Sequence, residues 1–577
     1  MSLTVTENLQ ESDVQARPQD FILHSFNALN PIIAQDPNNV FSQTSNFVKA
    51  PLTDNQVITQ TFLEHFSSTK KEYQSSQESN SEFAASIGIK GSYGFFSGSL
   101  KSSYEKDTYQ KSTSYSFSFN CFIDCGTVTF YQSGEYSKIR ACLQDELINR
   151  LDSITTLKQA GDFTNTYGTH LIGGLKLGGF IQLKSQAETT DYTSKEAISV
   201  EVELAYNGVA DISSAASVAQ KLSTASHSSS FTESASTSGG SSSLAVAVDP
   251  KDKNTIIEWA KSCTKDTAYA LTHTIEISKL AANPTAQAVL QKYLDLVVLA
   301  QSISNPTIIS AHRKLTPFAL STVDAVASDP HFRIIGGGAM VPMNTINFLV
   351  NSFPQQDSQT QGITGWTASS HDIAEPSDRD HHITSYAIAI YDPTYSPGVP
   401  SSLLDVQVGT GFGTNKGIGR DSAAAKVPNG FLLSGGGIES ETPNKFQKFV
   451  LGSYPSAVDE WTAKNSDYEN AASEVTLTAY AIGIKSLHPA LTITASRVAT
   501  PKSEYEYGNQ VAQLGEGVSI ASGGVSVENK DGFGNLVQQS YPSSASAWTE
   551  YDKDTDGHVT YANCAAYAIG FTPHLNI

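Results

Sequence analysis

Three of the four tryptophans in this chain stand at one repeated place. The first copy reads IIGGGAM, then NSFP, then Trp366, then SYAIAI. The second reads LSGGGIE, then GSYP, then Trp461, then AYAIGI. The third reads IASGGVS, then QSYP, then Trp548, then AYAIGF. The tryptophans are 95 and 87 residues apart, and Tyr386, Tyr480 and Tyr567 ahead of each Ala-Ile are 94 and 87 apart. The Y-A-I-(A/G)-I ends alternate at period two, as half-buried strands do. A Gly-rich, short-stranded unit of about 90 residues can hardly bury its inner face alone. Three copies closing on a shared axis would bury it and hide the sheet edges. The expectation is an all-β, three-fold β-prism over 331–577, with repeats at about 331–395, 425–490 and 515–577. A large apolar ring at a repeat position packs in a core more often than it stacks on a ligand.

Ahead of the repeats the pattern changes. Residues 1–20 read as a polar lead-in, 21–305 as mixed α and β, and 306–330 as a connection that opens at Asn305-Pro306. The fold class expected for the whole chain is therefore α+β followed by all-β.

The formal charge of -20 and a pI near 5.0 give a field that repels nucleic acid and anionic bilayers at long range. Nucleic acid is not an expected partner. If a membrane is the target, a receptor or glycan must bring the chain to it. Five cysteines are an odd number, and their spacing fits no zinc site. Cys121 and Cys125 would stand about 13 Å apart on a strand, beyond disulfide reach. The cysteines read as small buried apolar groups. The N-terminus shows no charged-then-apolar leader pattern, and no run of about 18 apolar residues suggests a spanning helix. A secreted protein exported by some other route is expected.

Four runs in the first half alternate apolar with small or polar residues. They are Phe83, Ala85, Ile87, Ile89, Gly91, Tyr93, Phe95; Tyr115 to Ile123; Leu171 to Leu183; and Ile198, Val200, Val202, Leu204, Tyr206. An amphipathic strand on a soluble sheet has this pattern. So does a strand of a membrane barrel, which shows one face to lipid and the other to a wet lumen and needs about 9–11 tilted residues to cross. Between about 207 and 243 the chain is nearly all Ser, Ala, Thr and Gly. That composition suits either a linker or a segment that refolds.

The runs flank Y-G-T-H-L-I-G-G-L-K-L-G-G, Tyr167 to Gly179. Paired glycines inside a strand mark bends or close backbone approach. Tyr167, Gly168, Thr169 and His170, followed by Gly178-Gly179, resemble the signature of the membrane attack complex/perforin (MACPF) family. The family's upstream Tyr falls on Ala160, and the residue after the histidine is Leu171. The segment 86–99 is similar to the family's first insertion segment. Gly239-Gly240, the I-E-W-A around Trp259 and the I-S-K-L near 277–280 are similar to its second bend and closing helix.

The resemblance covers about residues 25–305. It implies a bent four-stranded antiparallel sheet flanked by two helical clusters, here about 60–115 and 186–243. Each cluster would unfurl into a membrane hairpin after a homo-oligomeric ring assembles on the target-cell membrane. Gly173, Gly174, Gly178, Gly179, Gly239 and Gly240 would let the sheet straighten. Phe83, Ile87, Ile89, Tyr93, Phe95, Ile198, Val200, Val202, Leu204 and Tyr206 would face lipid. Bacterial members with a C-terminal β-prism, some of them insecticidal, imply a pore-forming toxin whose prism recognises its target.

An enzyme is not expected. His170 has no Asp and Ser in a fixed neighbourhood, and no nucleophile elbow is present, so a structural histidine is the simpler reading. Asp552, Asp554 and Asp556 match the first half of a calcium loop, but Asn563 stands where a bidentate Glu is required. Calcium is the only candidate cofactor, and a solvated polar turn is the simpler reading. A non-lytic, lectin-like adhesin is the alternative function.

Overall fold

The computed structural model describes residues 17–29, 43–73, 114–131, 134–188, 231–249 and 253–577, apart from loop positions 318, 328, 344, 358–361, 374–380, 414–418, 442–447, 468–475, 506, 530–533 and 556–561. Side chains are described throughout these except at 62–73, 114–119, 183–188, 231–234, 253, 254, 257, 503–505 and 507.

The first sheet contains β1 (Ser25–Phe26), β2 (Val57–Tyr73), β3 (Ser114–Phe130), β4 (His170–Glu188), β5 (Phe231–Gly239) and β6 (Ala268–Glu276). Its order is β1-β4-β3-β2, with β5 and β6 also on β4, and every pairing is antiparallel. Six strands thus make the sheet where four were expected. The difference comes from β4, whose neighbours on one flank are β6 and then β5, end to end. The spans 60–73, 114–115, 186–188 and 231–239, expected within helical clusters, are strand. Their residues continue the ladder, as in Tyr73↔Ser116 and Ala187↔Phe231. Residues 74–113 and 189–230 lie outside the described residues.

Helices pack on this sheet: α1 (Tyr136–Cys142), α2 (Asp145–Asp152) and α3 (Leu157–Tyr167), then α4 (Ser242–Val246), α5 (Lys253–Lys261) and α6 (Pro284–Ser304). A capping box starts α3: the Gln159 amide N–H donates to Thr156 Oγ1 at 3.2 Å, and the Gln159 side chain accepts from the Thr156 N–H. Asn283 caps α6, and Pro284 takes the first turn.

The C-terminal unit contains three further sheets. The first repeat supplies β7 (Thr307–Lys314), β8 (Ser321–Val326), β9 (Phe332–Met340), β10 (Asn347–Gln356), β11 (Ile363–Asp372) and β12 (His382–Tyr391). The second supplies β13 (Leu404–Phe412), β14 (Arg420–Lys426), β15 (Leu432–Glu441), β16 (Lys448–Pro455), β17 (Glu460–Asp467) and β18 (Thr476–Ser486). The third supplies β19 (Leu491–Ala499), β20 (Ser503–Tyr505), β21 (Tyr507–Gln513), β22 (Ser519–Asn529), β23 (Leu536–Ser544), β24 (Ala547–Lys553) and β25 (Ala562–Leu575).

Each repeat splits between two sheets, and each sheet joins halves of two repeats. The orders are β13-β18-β15-β10-β11-β8, β21-β24-β23-β9-β12-β7 and β14-β17-β16-β22-β25-β19. The exchange is cyclic: first with second, second with third, third with first. Strands β7 and β8 occupy the span expected to be a linker, and β13, β14, β19, β20 and β21 occupy the expected connections between repeats. In β14 the reason is that its inward residues are small. In β14, RDSAAAK, exposed and buried positions alternate strictly, yet only Ala423 and Ala425 are apolar among the buried ones.

The repeat signature explains itself in contacts. Trp366, Trp461 and Trp548 are fully buried. Each indole N–H donates to a serine of its own repeat: Ser352 at 2.9 Å, Ser453 at 2.9 Å and Ser540 at 3.0 Å. Each ring lies over one glycine of the GGG or SGG run, namely Gly337, Gly436 or Gly523, where a Cβ would overlap the ring. The aromatic of S-(F/Y)-P then stacks on the tyrosine of the neighbouring repeat: Phe353 on Tyr480 at 5.7 Å, Tyr454 on Tyr567 at 5.2 Å, Tyr541 on Tyr386 at 5.6 Å. These stacks lie at the seams between half-sheets.

Helix α6 ties the two parts together. Leu290, Leu294 and Val298 belong to the core of the first sheet; Leu296, Leu299 and Ile303 belong to the core of the C-terminal unit.

Candidate functional site

The signature residues lock the start of β4. Tyr167 ends α3, buried against Phe47 and Phe163, and its hydroxyl donates to Glu146 Oε1 at 3.2 Å. Gly168 closes the helix at φ +80, where a Cβ would press on Phe26. Thr169 Oγ1 accepts from the Ala28 N–H at 2.9 Å and lies 2.9 Å from His170 Nδ1. The His170 ring stacks on Phe26 and is fully buried. Burial, helped by the charge of Lys279, pushes its pKa down to about 3. His170 is therefore a neutral group holding β1, β4 and β6 in register, closed to any substrate in solvent.

Beyond it, an irregular line crosses the sheet. The β2·β3 register breaks between Thr61 and His65, and the β3·β4 register breaks between Asp124 and Gly126. On β4 the same level is Gly178, where the neighbour changes from β6 (Leu177↔Ala268) to β5 (Gly179↔Gly239). Four glycines at this level have positive φ: Gly126 at +140, Gly178 at +119, Gly239 at +77 and Gly240 at +66. A Cβ on Gly178 would come 1.9 Å from the Ile123 carbonyl oxygen. The line is a bend that only glycine backbone allows.

The turn after α5 clamps this bend. The Gly178 N–H donates to the Thr267 carbonyl at 2.8 Å, and Thr267 Oγ1 donates back to the Gly178 carbonyl at 2.8 Å. The buried Trp259 donates from Nε1 to the Gly239 carbonyl at 3.2 Å. The Ser241 N–H donates to Ser262 Oγ at 2.8 Å. Cys263 Sγ occupies the space that a side chain at Gly179 would need.

The structure thus brings Gly178, Gly179, Gly239 and Gly240 to one place. Gly173 and Gly174 stand apart, nearer the start of β4, beneath the His273 ring and at their own register breaks with β6. Sequence reading missed Gly126 and Thr267. Gly126 had a signal, as the one glycine in the run Ser114–Phe130. Thr267 sits in a polar turn and had none. Phe83, Ile87, Ile89, Tyr93, Phe95, Ile198, Val200, Val202, Leu204 and Tyr206 lie outside the described residues.

Asp552 departs from the calcium-loop expectation. It is on strand β24, fully buried, and accepts from Asn535 Nδ2 at 2.5 Å. Its place was misread because the run of alternating acids continues from strand into turn. Asp554 follows the strand, and Asp556 lies outside the described residues. Among the described residues no group of three or more His, Cys, Asp or Glu side chains is placed to hold a metal, and no helix is long and apolar enough to cross a membrane.

Residues 25–296 match the MAC/Perforin domain model, and this part of the chain belongs to that family. No curated protein sequence matches the chain. Among solved structures, GNIP1Aa from Chromobacterium piscinae is 13% identical, covering 88% of this chain and 89% of that one at a TM-score of 0.35. A putative cell invasion protein with a MAC/Perforin domain from Bacteroides thetaiotaomicron is 14% identical, covering 49% and 63% at 0.33. Suilysin, a cytotoxin from Streptococcus suis, is 12% identical, covering 57% and 58% at 0.21.

Proposed function

We propose that this chain is a non-enzymatic pore-forming toxin. It is secreted as a monomer, binds a target-cell membrane, assembles into a ring and inserts β-hairpins. The carrying observation is topological. Strands β2 and β3 end at Tyr73 and Ser114, and β4 and β5 end at Glu188 and Phe231, all at the same end of the sheet. Two spans, 74–113 and 189–230, therefore leave and return between adjacent antiparallel strands. Either could supply two arms that continue the ladder, each longer than the roughly 9–11 residues a tilted membrane strand needs. The alternating runs at Phe83–Phe95 and Ile198–Tyr206 fall inside these spans. The clamped bend supplies the stored state from which the sheet would straighten.

The C-terminal unit is read as a β-prism that recognises a receptor, glycan or lipid. A cleft of about 770 Å³, lined in part by Arg333, Tyr395, Asp405 and Gln407, is its candidate recognition surface. The Arg333 guanidinium lies 4.0 Å over the Tyr395 ring. The same cleft favours the second reading, a non-lytic adhesin.

Dye release from liposomes of target-type lipid, with negative-stain imaging, tests the proposal. Release with rings is expected from the native chain. Val202→Asp should abolish release while the monomer stays folded, because charge on a lipid face costs on the order of 2 kcal/mol per strand. Tight binding without release from the native chain would favour the adhesin.

A further inference from the structure

Two cysteines distant in sequence come together at the bend, the thiol of one against the backbone of the other. Cys125 lies on β3 beside the Gly126 bulge, and Cys263 lies in the turn after α5. Cys125 Sγ is 3.8 Å from the Cys263 carbonyl oxygen, across 138 residues of chain. They are 3% and 2% exposed, and neither is in a disulfide. They flank the Gly178-Gly179 step: Cys263 Sγ fills the side-chain space of Gly179, and the Cys125 amide nitrogen lies beside that of Gly178. Both sulfurs therefore sit where the bend must move.

We infer that Cys125 and Cys263 form a disulfide by exchange with a small-molecule disulfide, and that this bond ties β3 to the α5 turn and holds the bend shut. In the step, one thiolate attacks the small disulfide and releases one small thiol. The second cysteine then displaces the other. Two protein thiols lose two electrons and two protons, and the small disulfide becomes two thiols. The tie closes a long loop and constrains the opened state most. Its consequence for lysis rests on the pore-forming reading; the tie itself does not.

Burial raises the pKa of the Cys263 thiol to about 12, with a further push from Cys125, so reaction is confined to folding or to moments when α5 lifts. The experiment folds the full chain in a glutathione/glutathione-disulfide mixture or in reductant. Peptide mapping without reduction should find the Cys125–Cys263 link only in the first. Amide exchange near Gly178 and Thr267 should slow at least tenfold with the link, without any membrane present. Vesicle dye release should fall at least tenfold and return on reduction, whereas Cys125→Ser should release equally in both media. Absence of the link after oxidative folding, or unchanged amide exchange with the link in place, overturns the inference. If the link forms and slows exchange but neither redox form releases dye, the pore-forming reading fails and the tie stands.

Discussion

At the scale of single residues, the third repeat carries a buried acid that its siblings lack. Glu550 pairs across the ladder with Gln510, where the second repeat pairs Ala463 with Ala423 and the first pairs Ala368 with Val323. Burial, then the neighbouring Asp552, pushes the Glu550 pKa up to about 9. The folded chain thus keeps a proton that the unfolded chain releases near its ordinary value of 4.5. Its stabilising contribution is complete below about pH 4.5 and is lost as pH rises toward 9. Native stability should therefore drop between pH 5 and 8.5, with Glu550 contributing on the order of 4 kcal/mol to the drop. Glu550→Gln should remove that share, as read from urea midpoints at the two pH values. An identical drop in the variant would contradict this assignment. Sequence alone located Asp552 but put it in a loop. The partners that reveal a buried strand, Gly508 and Asn535, are 44 and 17 residues away from it.

At the scale of elements, the bend was partly legible. Paired glycines flagged β4 and the end of β5, because a run of GG inside an alternating strand has few other uses. The clamp was not legible, since Ser262, Cys263 and Thr267 sit in a turn whose side chains carry no periodicity. Gly178→Ala should cost the soluble chain at least about 2 kcal/mol, through strain at φ +119 and overlap with β3. Gly430→Ala, also at positive φ but meeting only the tip of Lys485, should cost about 1 kcal/mol. Equal losses in denaturation would show that the close crossing of β3 and β4 is not what holds the bend. The three tryptophans were legible as equivalent. Their reason, an indole laid on a glycine and hydrogen-bonded to a serine eight or fourteen positions before it, needed the sheets.

At the scale of the whole molecule, α6 gives alternate faces to two cores, so neither can lose it without exposing apolar surface. Calorimetry of the reduced chain should show one main transition, lowered as a whole by Leu299→Ala, by roughly 2–5 kcal/mol. Two well-separated transitions, with only one moved by the variant, would mean that the cores are independent. The shared sheets also fix how many repeats there can be. Deleting one copy would not leave two-thirds of the unit; it would leave one sheet whole and two cut to half width. Adding a fourth would demand a wider ring of seams than the Phe353–Tyr480, Tyr454–Tyr567 and Tyr541–Tyr386 stacks close. A gene that duplicates or loses a copy in this region therefore makes no intermediate that folds, and drift among the copies, as at Glu550, is the only kind of change open to them.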